Sequence, residues 1–153
     1  MLAFLPIAAL AYFAITDVLT KHKVYRDTSE LNRAVVITAL TSAMVHEVQR
    51  ERGLTAGYIG SQGARFREEL QNQHQRTDNQ LEKLREQTII ISGDTYTRAL
   101  RGKLRQALTT LDNRHTLRQQ AEALQLSLDQ VLDQYTDINT HLLDVVTDLP
   151  LLS

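Results

Sequence analysis

The sequence predicts an all-α protein, an antiparallel up-and-down four-helix bundle preceded by an N-terminal transmembrane helix. Three features carry this prediction. Turn-making residues are scarce, with Gly 6 and Pro 2 in 153 residues. Apolar residues recur at three- and four-residue spacing in long stretches separated by short turn signals. The chain also opens on an uncharged apolar run, Leu2 to Ile15. A hydrophobic fraction of 42% and a charged fraction of 23% belong to a globular chain rather than a disordered one. The formal net charge of -1 leaves no electrostatic footprint for nucleic acid. With Cys 0, disulfides, thiolate catalysis and cysteine-based metal sites are excluded.

The apolar run is extended by Val18 and Leu19, and residues 1–20 are read as a transmembrane anchor. A cleaved signal peptide would carry a basic start, which this run lacks. The alternative is a buried core helix. Lys21, Lys23 and Arg26 follow directly, and by charge bias alone they direct the next domain to the cytoplasmic side.

Residues 27–149 read as the helical domain. Thr28 or Ser29 can cap its first helix, which extends to Ile59 and stops at Gly60-Ser61-Gln62-Gly63. A second helix is expected from about Ala64 to Thr88. Ile89-Ile90-Ile91 has strand-like composition but no strand to pair with, so it is read as the helix end or a buried connector. The third helix starts near Asp94 or Thr95 and carries Leu100, Leu104, Ala107, Leu108 and Leu111. Asn113 to Gln125 is polar and ambiguous. Ser127 followed by Gln130 is a capping box for the fourth helix, whose face runs through Val131, Tyr135, Ile138 and Leu142 to Val145 or Val146. The chain stops soon after that helix, which suggests the first half of a longer domain.

Catalytic signatures are absent, and the chain is read as no enzyme. His46-Glu47 opens like a zincin motif, but the second ligand position holds Arg50. His22, His46, His74, His115 and His141 are scattered without metal-ligand spacing, so neither metal nor cofactor is expected. The informative stretch is His46 to Tyr58. On the seam 31, 35, 38, 42, 45, 49, 52, 56 and 59, Arg52 falls where an apolar side chain is expected, one turn after Gln49. A guanidinium turned inward is costly to desolvate unless an anion or several acceptors meet it. Arg52 could equally pair with a carboxylate of another helix. Glu47 and Glu51 could partner Arg50 across the surface. Gly53 and Gly57, beside Arg50, suit close approach of another backbone or a ligand.

The stretch Glu47-Val48-Gln49-Arg50-Glu51-Arg52-Gly53-Leu54-Thr55-Ala56-Gly57-Tyr58 resembles the E-x-Q-x-E-R-G-x-[ST]-A-G-[FY] signature of nitrate- and nitrite-sensing domains. Phe66 with Leu70, Gln75-Arg76-Thr77-Asp78, and Tyr135-Thr136 with Ile138, Leu142 and Leu143 are similar to that family's later helices. The resemblance implies a helical sensor of the kind found in chemoreceptors, histidine kinases, diguanylate cyclases and transcription antiterminators. It implies nitrate or nitrite bound through Arg52, with Arg50 beside it; Gln49, Gly53 and Gly57, singled out by their helix positions, are taken as supporting residues. The resulting expectation is a sensor in the inner or cell membrane, with its domain periplasmic or extracellular. Such a sensor would bind a small anion, form a homodimer, and signal by helix movement. The alternative is a non-binding structural or dimerisation bundle of a membrane signalling protein.

Overall fold

The computed structural model describes residues 32, 35–91 and 98–147. The chain divides into two units, Met1–Val35 and Val36–Ser153. Among the described residues it is all-helical, with no strand. Helix α1 covers 35–60, α2 Arg67–Ile91, α3 Arg98–Asp112, α4 Arg114–Glu122 and α5 Leu128–Thr147. Asn113, which alone separates α3 from α4, keeps right-handed helical torsions (φ -68, ψ -12). Its carbonyl accepts from the Leu117 amide at 3.2 Å. The two helices therefore form one interrupted rod, and the ambiguous stretch after Asn113 is helical as far as Glu122.

The anchor expected over residues 1–20 and the cap at Thr28 or Ser29 lie outside the described residues. No helix among those described is long and apolar enough to cross a membrane.

Each rod buries a stripe at three/four spacing. On α3 and α4 it is Leu100, Leu104, Ala107, Leu111, Leu117 and Ala121, and on α5 it is Val131, Tyr135, Ile138, Leu142 and Val145. Helices α3 and α5 pack directly on each other. A fully buried leucine or valine of this kind contributes roughly 1.5–3 kcal/mol. The stripe of α2 is thinner, because Gln73 and Thr77 alternate with Leu70, Leu81 and Leu84. Its polar members are satisfied by α1. The Gln73 amide donates to the Glu47 carboxylate at 2.6 Å, and Gln80 donates to the Leu40 carbonyl at 3.1 Å.

The connections follow local chemistry. Gly63 takes φ +79 and lies against Tyr58, whose hydroxyl a Cβ there would approach to 3.1 Å. At the start of α5 the Ser127 amide donates to Gln130 Oε1 at 2.9 Å, and the Gln130 amide donates to Ser127 Oγ at 3.2 Å, the reciprocal pair of a capping box.

Of the two readings of the Ile89 to Ile91 run, the helix end holds: it closes α2, and with Ile89 73% exposed it is no buried connector. Its β-branched composition is overridden because the preceding turns already supply helical hydrogen-bond partners. The expected inward seam of α1 needs correction, being rotated by about one residue. The buried positions are Ile37, Thr41, Met44, Val48, Glu51, Thr55 and Tyr58, joined by Val45 of the expected seam, whereas Gln49 is exposed and Arg52 is only half-buried. Both seams have the same spacing, and each contains one charged residue. The choice fell to Glu51 because a guanidinium waits for it in the core.

Candidate functional site

At the heart of the helices lies a buried polar cluster. Glu51 of α1 is 1% exposed and is gripped by Arg118 of α4 in a bidentate pair, Nε to Oε1 at 2.7 Å and Nη2 to Oε2 at 2.8 Å. The remaining nitrogen, Nη1, donates to both oxygens of Asp78 on α2 at 2.9 and 3.0 Å. Arg114, one turn before Arg118, donates its Nε to Asp78 at 2.8 Å and its Nη1 to the Leu111 carbonyl at 3.2 Å. From α5 the Tyr135 hydroxyl donates to Glu51 Oε1 at 2.9 Å. Thr55 Oγ1 lies 3.3 Å from that hydroxyl and donates to the Glu51 carbonyl at 2.8 Å. One carboxylate thus ties α1 to α4 and α5, and Arg118 carries the tie on to α2.

The electrostatics follow from the pairing. Burial pushes the Glu51 carboxyl up, but the hydrogen bonds and charge of Arg118 outweigh it and hold the group below its ordinary value. Burial works against the charged form of Arg118 too, yet Glu51 and Asp78 raise its affinity for the proton above normal. Burial likewise opposes ionisation of Asp78, and Arg114 and Arg118 more than compensate, so it too is lowered. Burial, then Glu51, raises the Tyr135 hydroxyl far above its usual range. His74 sits between two carboxylates, Nε2 3.8 Å from Glu51 and Nδ1 3.8 Å from Glu122. Burial nevertheless lowers its pKa, outweighing the raising effect of Glu51. With His74 neutral, two guanidiniums face two carboxylates and the charges balance. Among the described residues, no surplus positive charge remains in this cluster to attract an anion.

The expected ligand residues lie on the other side of α1. Successive helix positions turn by about 100°, so Arg50 and Arg52 flank Glu51 on either side, and Gln49 and Gly53 lie on the outer face between them. Arg50 is exposed and its Nη1 is 3.3 Å from Glu47 Oε1. Arg52 makes no hydrogen bond or ion pair to another described residue. Gly53 faces open space, with nothing within 4 Å of an added Cβ. Gly57 differs, since a Cβ there would meet the Phe66 ring at 2.9 Å. The two arginines do not converge by helix geometry alone, because residues two apart point away from each other. Their long side chains can meet only over Gln49 and Gly53.

The E-R-G stretch therefore has two faces. Glu51, Thr55 and Tyr58 point inward, and Tyr58 donates to the Glu122 carbonyl at 3.3 Å while accepting from Arg67 at 2.7 Å. Gln49, Arg50 and Gly53 point outward, with Arg52 at the border. Sequence reasoning missed Arg118, Arg114 and Asp78 as partners and placed Glu51 on the surface. The available signal was the apolar set Met44, Val48 and Tyr58, which shares its spacing with Glu51. No group of histidines and carboxylates among the described residues has the geometry to hold a metal.

No curated protein sequence matches this chain. The solved structure of the NasR transcription antiterminator matches with a TM-score of 0.74 and 23% sequence identity, covering 91% of this chain and 36% of that one. At that identity the likeness concerns the fold alone, and this chain spans about a third of the antiterminator's length. The family model described as nitrate and nitrite sensing matches residues 43–153, from the E-R-G helix to the end of the chain. The chain belongs to the nitrate- and nitrite-sensing (NIT) domain family.

Proposed function

We propose that this chain is the nitrate- or nitrite-binding sensor of a signalling protein, an antiparallel up-and-down four-helix bundle tethered to a membrane by residues 1–20. In this reading it acts as a homodimer with its sensing domain outside the cytoplasm, and it catalyses no reaction. The observation that carries the binding role is the division of the family's signature into two faces. The inward face is already neutralised, while Arg50 and Arg52 remain at the edges of an outer face floored by Gln49 and Gly53.

Nitrate is planar, singly charged and weakly hydrated. A guanidinium fork presents paired N–H donors that match two of its oxygens, which a lysine cannot do. Gln49 adds an amide donor between the forks, and the missing side chain at Gly53 leaves room for the ion. Drawing Arg50 from Glu47 and both arginines over the outer face costs mutual repulsion when the site is empty, and the anion relieves it. That difference in affinity between two side-chain arrangements is what a sensor requires. Glu51 lies between the two arginines in sequence, so any shift of this helical turn pulls on the bonds from Arg118 and Tyr135. The apolar run Leu2 to Ile15 supports the membrane tether, through which movement of α1 would reach an output domain.

Thermal unfolding of the 153-residue chain in nitrate, nitrite and chloride tests the binding role. A ligand at 100 times its Kd stabilises the folded state by about 2.7 kcal/mol, a readily measured rise in Tm. The expected result is a rise with nitrate or nitrite that chloride does not reproduce and that Arg50→Ala and Arg52→Ala each remove. No anion-specific rise, or one retained in both variants, refutes the assignment.

A further inference from the structure

The surface of the helices carries an unbalanced charge on α3 and its opposite on α5. Helix α3 has four basic residues and a single acid, Asp112, at its C-terminal end. Helix α5 has Asp129, Asp133, Asp137 and Asp144, and neither lysine nor arginine. Two grooves present these charges. One, between α2 and α3, is floored by Leu104 and Leu108 and edged by Arg101, Arg105, Thr88 and Asp112, the last already paired with Arg85 of α2. The other, where α5 meets the α3–α4 junction, is floored by Leu117 and Ile138 and edged by Asp133, Asp137 and Asn113.

Each groove holds charges its own fold leaves unmatched. Arg101, Arg105, Asp133 and Asp137 are all exposed. Arg101, Arg105 and Asp133 make no ion pair to another described residue. Asp137 has only His141, 3.6 Å away on its own helix. Both pairs have i, i+4 spacing, which sets their charges about 6 Å apart along a helix. Between the grooves the outer face of α3 exposes Gly102, Gln106, Thr109 and Asn113, which are short or neutral. Nothing lies within 4 Å of a Cβ added at Gly102. The middle of this face therefore resists close approach neither by charge nor by bulk.

We infer that a second copy of this chain docks here, with Arg101 and Arg105 of each copy meeting Asp133 and Asp137 of the other across the outer face of α3. A two-fold axis repeats each pairing, so one basic pair and one acidic pair per copy give four guanidinium–carboxylate bridges. Exposed pairs are individually weak, and their main effect is to select partner and register. The inference gives a surface to the homodimer in the proposed function and uses neither Arg50 nor Arg52.

The test is the mass of the 153-residue chain in solution, by sedimentation across a concentration series at low and high salt and without nitrate. The wild type is expected to dimerise, more weakly at high salt. R101E/R105E and D133K/D137K are each expected to weaken self-association by on the order of 30-fold or more, since each removes all four bridges at a few-fold apiece. Mixing the two variants opposes the new charges and restores a mixed dimer, a result that generalised misfolding cannot produce. A monomeric wild type, a dimer indifferent to both reversals, or a failure of the helical variants to associate when mixed overturns the surface. None of these outcomes depends on anion binding, so each leaves the sensor assignment to its own test.

Discussion

Replacing Arg118 with methionine tests the buried cluster most directly. The change keeps much of the side chain's length while removing the group that neutralises Glu51. In the wild type Glu51 is 1% exposed and receives two hydrogen bonds from Arg118, at 2.7 and 2.8 Å. Breaking a buried pair by deleting one partner typically costs about 3–5 kcal/mol, because the survivor is left charged and desolvated. The lower end applies here. Tyr135 still donates to Glu51, and Asp78 keeps Arg114 at 2.8 Å. The expected loss is about 3 kcal/mol at pH 7, a fall in Tm on the order of 10 °C.

The pH dependence gives the deciding sign. In the wild type the Glu51 pKa is lowered by folding, so its contribution is present above the unfolded carboxyl value and lost as pH falls through the folded one. Without Arg118, burial dominates and raises the pKa. The folded variant then binds a proton before the unfolded chain does, and the mutational penalty shrinks as pH falls from 7 toward 5. Urea unfolding followed by circular dichroism at both pH values measures the gap. Adding Glu51→Gln to the methionine variant should recover part of the loss at pH 7. A penalty below about 1 kcal/mol at pH 7, or one that is the same at pH 5, refutes a charged Glu51–Arg118 lock.

Two further outcomes follow from single side chains. Gly53→Ala should stabilise the chain by about 0.5–1 kcal/mol in urea unfolding, since the added methyl meets nothing and alanine favours helix, whereas Gly57→Ala should destabilise it by driving a methyl into the Phe66 ring 2.9 Å away. Equal effects at the two sites would contradict the different surroundings given to them. His74 has its pKa lowered by burial, so the unfolded chain takes up the proton first; stability is complete above the unfolded value and declines as pH falls below it. His74→Gln should flatten that decline between pH 6.5 and 5, and an unchanged slope would remove His74 as its source.

Much of the architecture was written in local pattern. Turn chemistry at Gly60 to Gly63, the Ser127–Gln130 capping box and the Val131 to Val145 stripe each depend on residues within a few positions of one another, so the sequence alone suffices to read them. The outward placement of Arg50 was within reach for the same reason, since its partner Glu47 is one turn away.

Sequence by itself determined that the chain is helical, where its rods turn, and which family's E-R-G helix it carries. Only the tertiary structure decided the phase of α1, and with it which charge goes inside. Two seams of equal spacing compete, one carrying Glu51 and the other Arg52, and helix periodicity is blind to the difference. Glu51 is buried because Arg118, 67 residues later, meets both of its oxygens and offsets the cost of desolvation. A pairing over that distance exists only once the chain is folded, and it is this pairing that leaves Arg50 facing outward and Arg52 half-buried at the border.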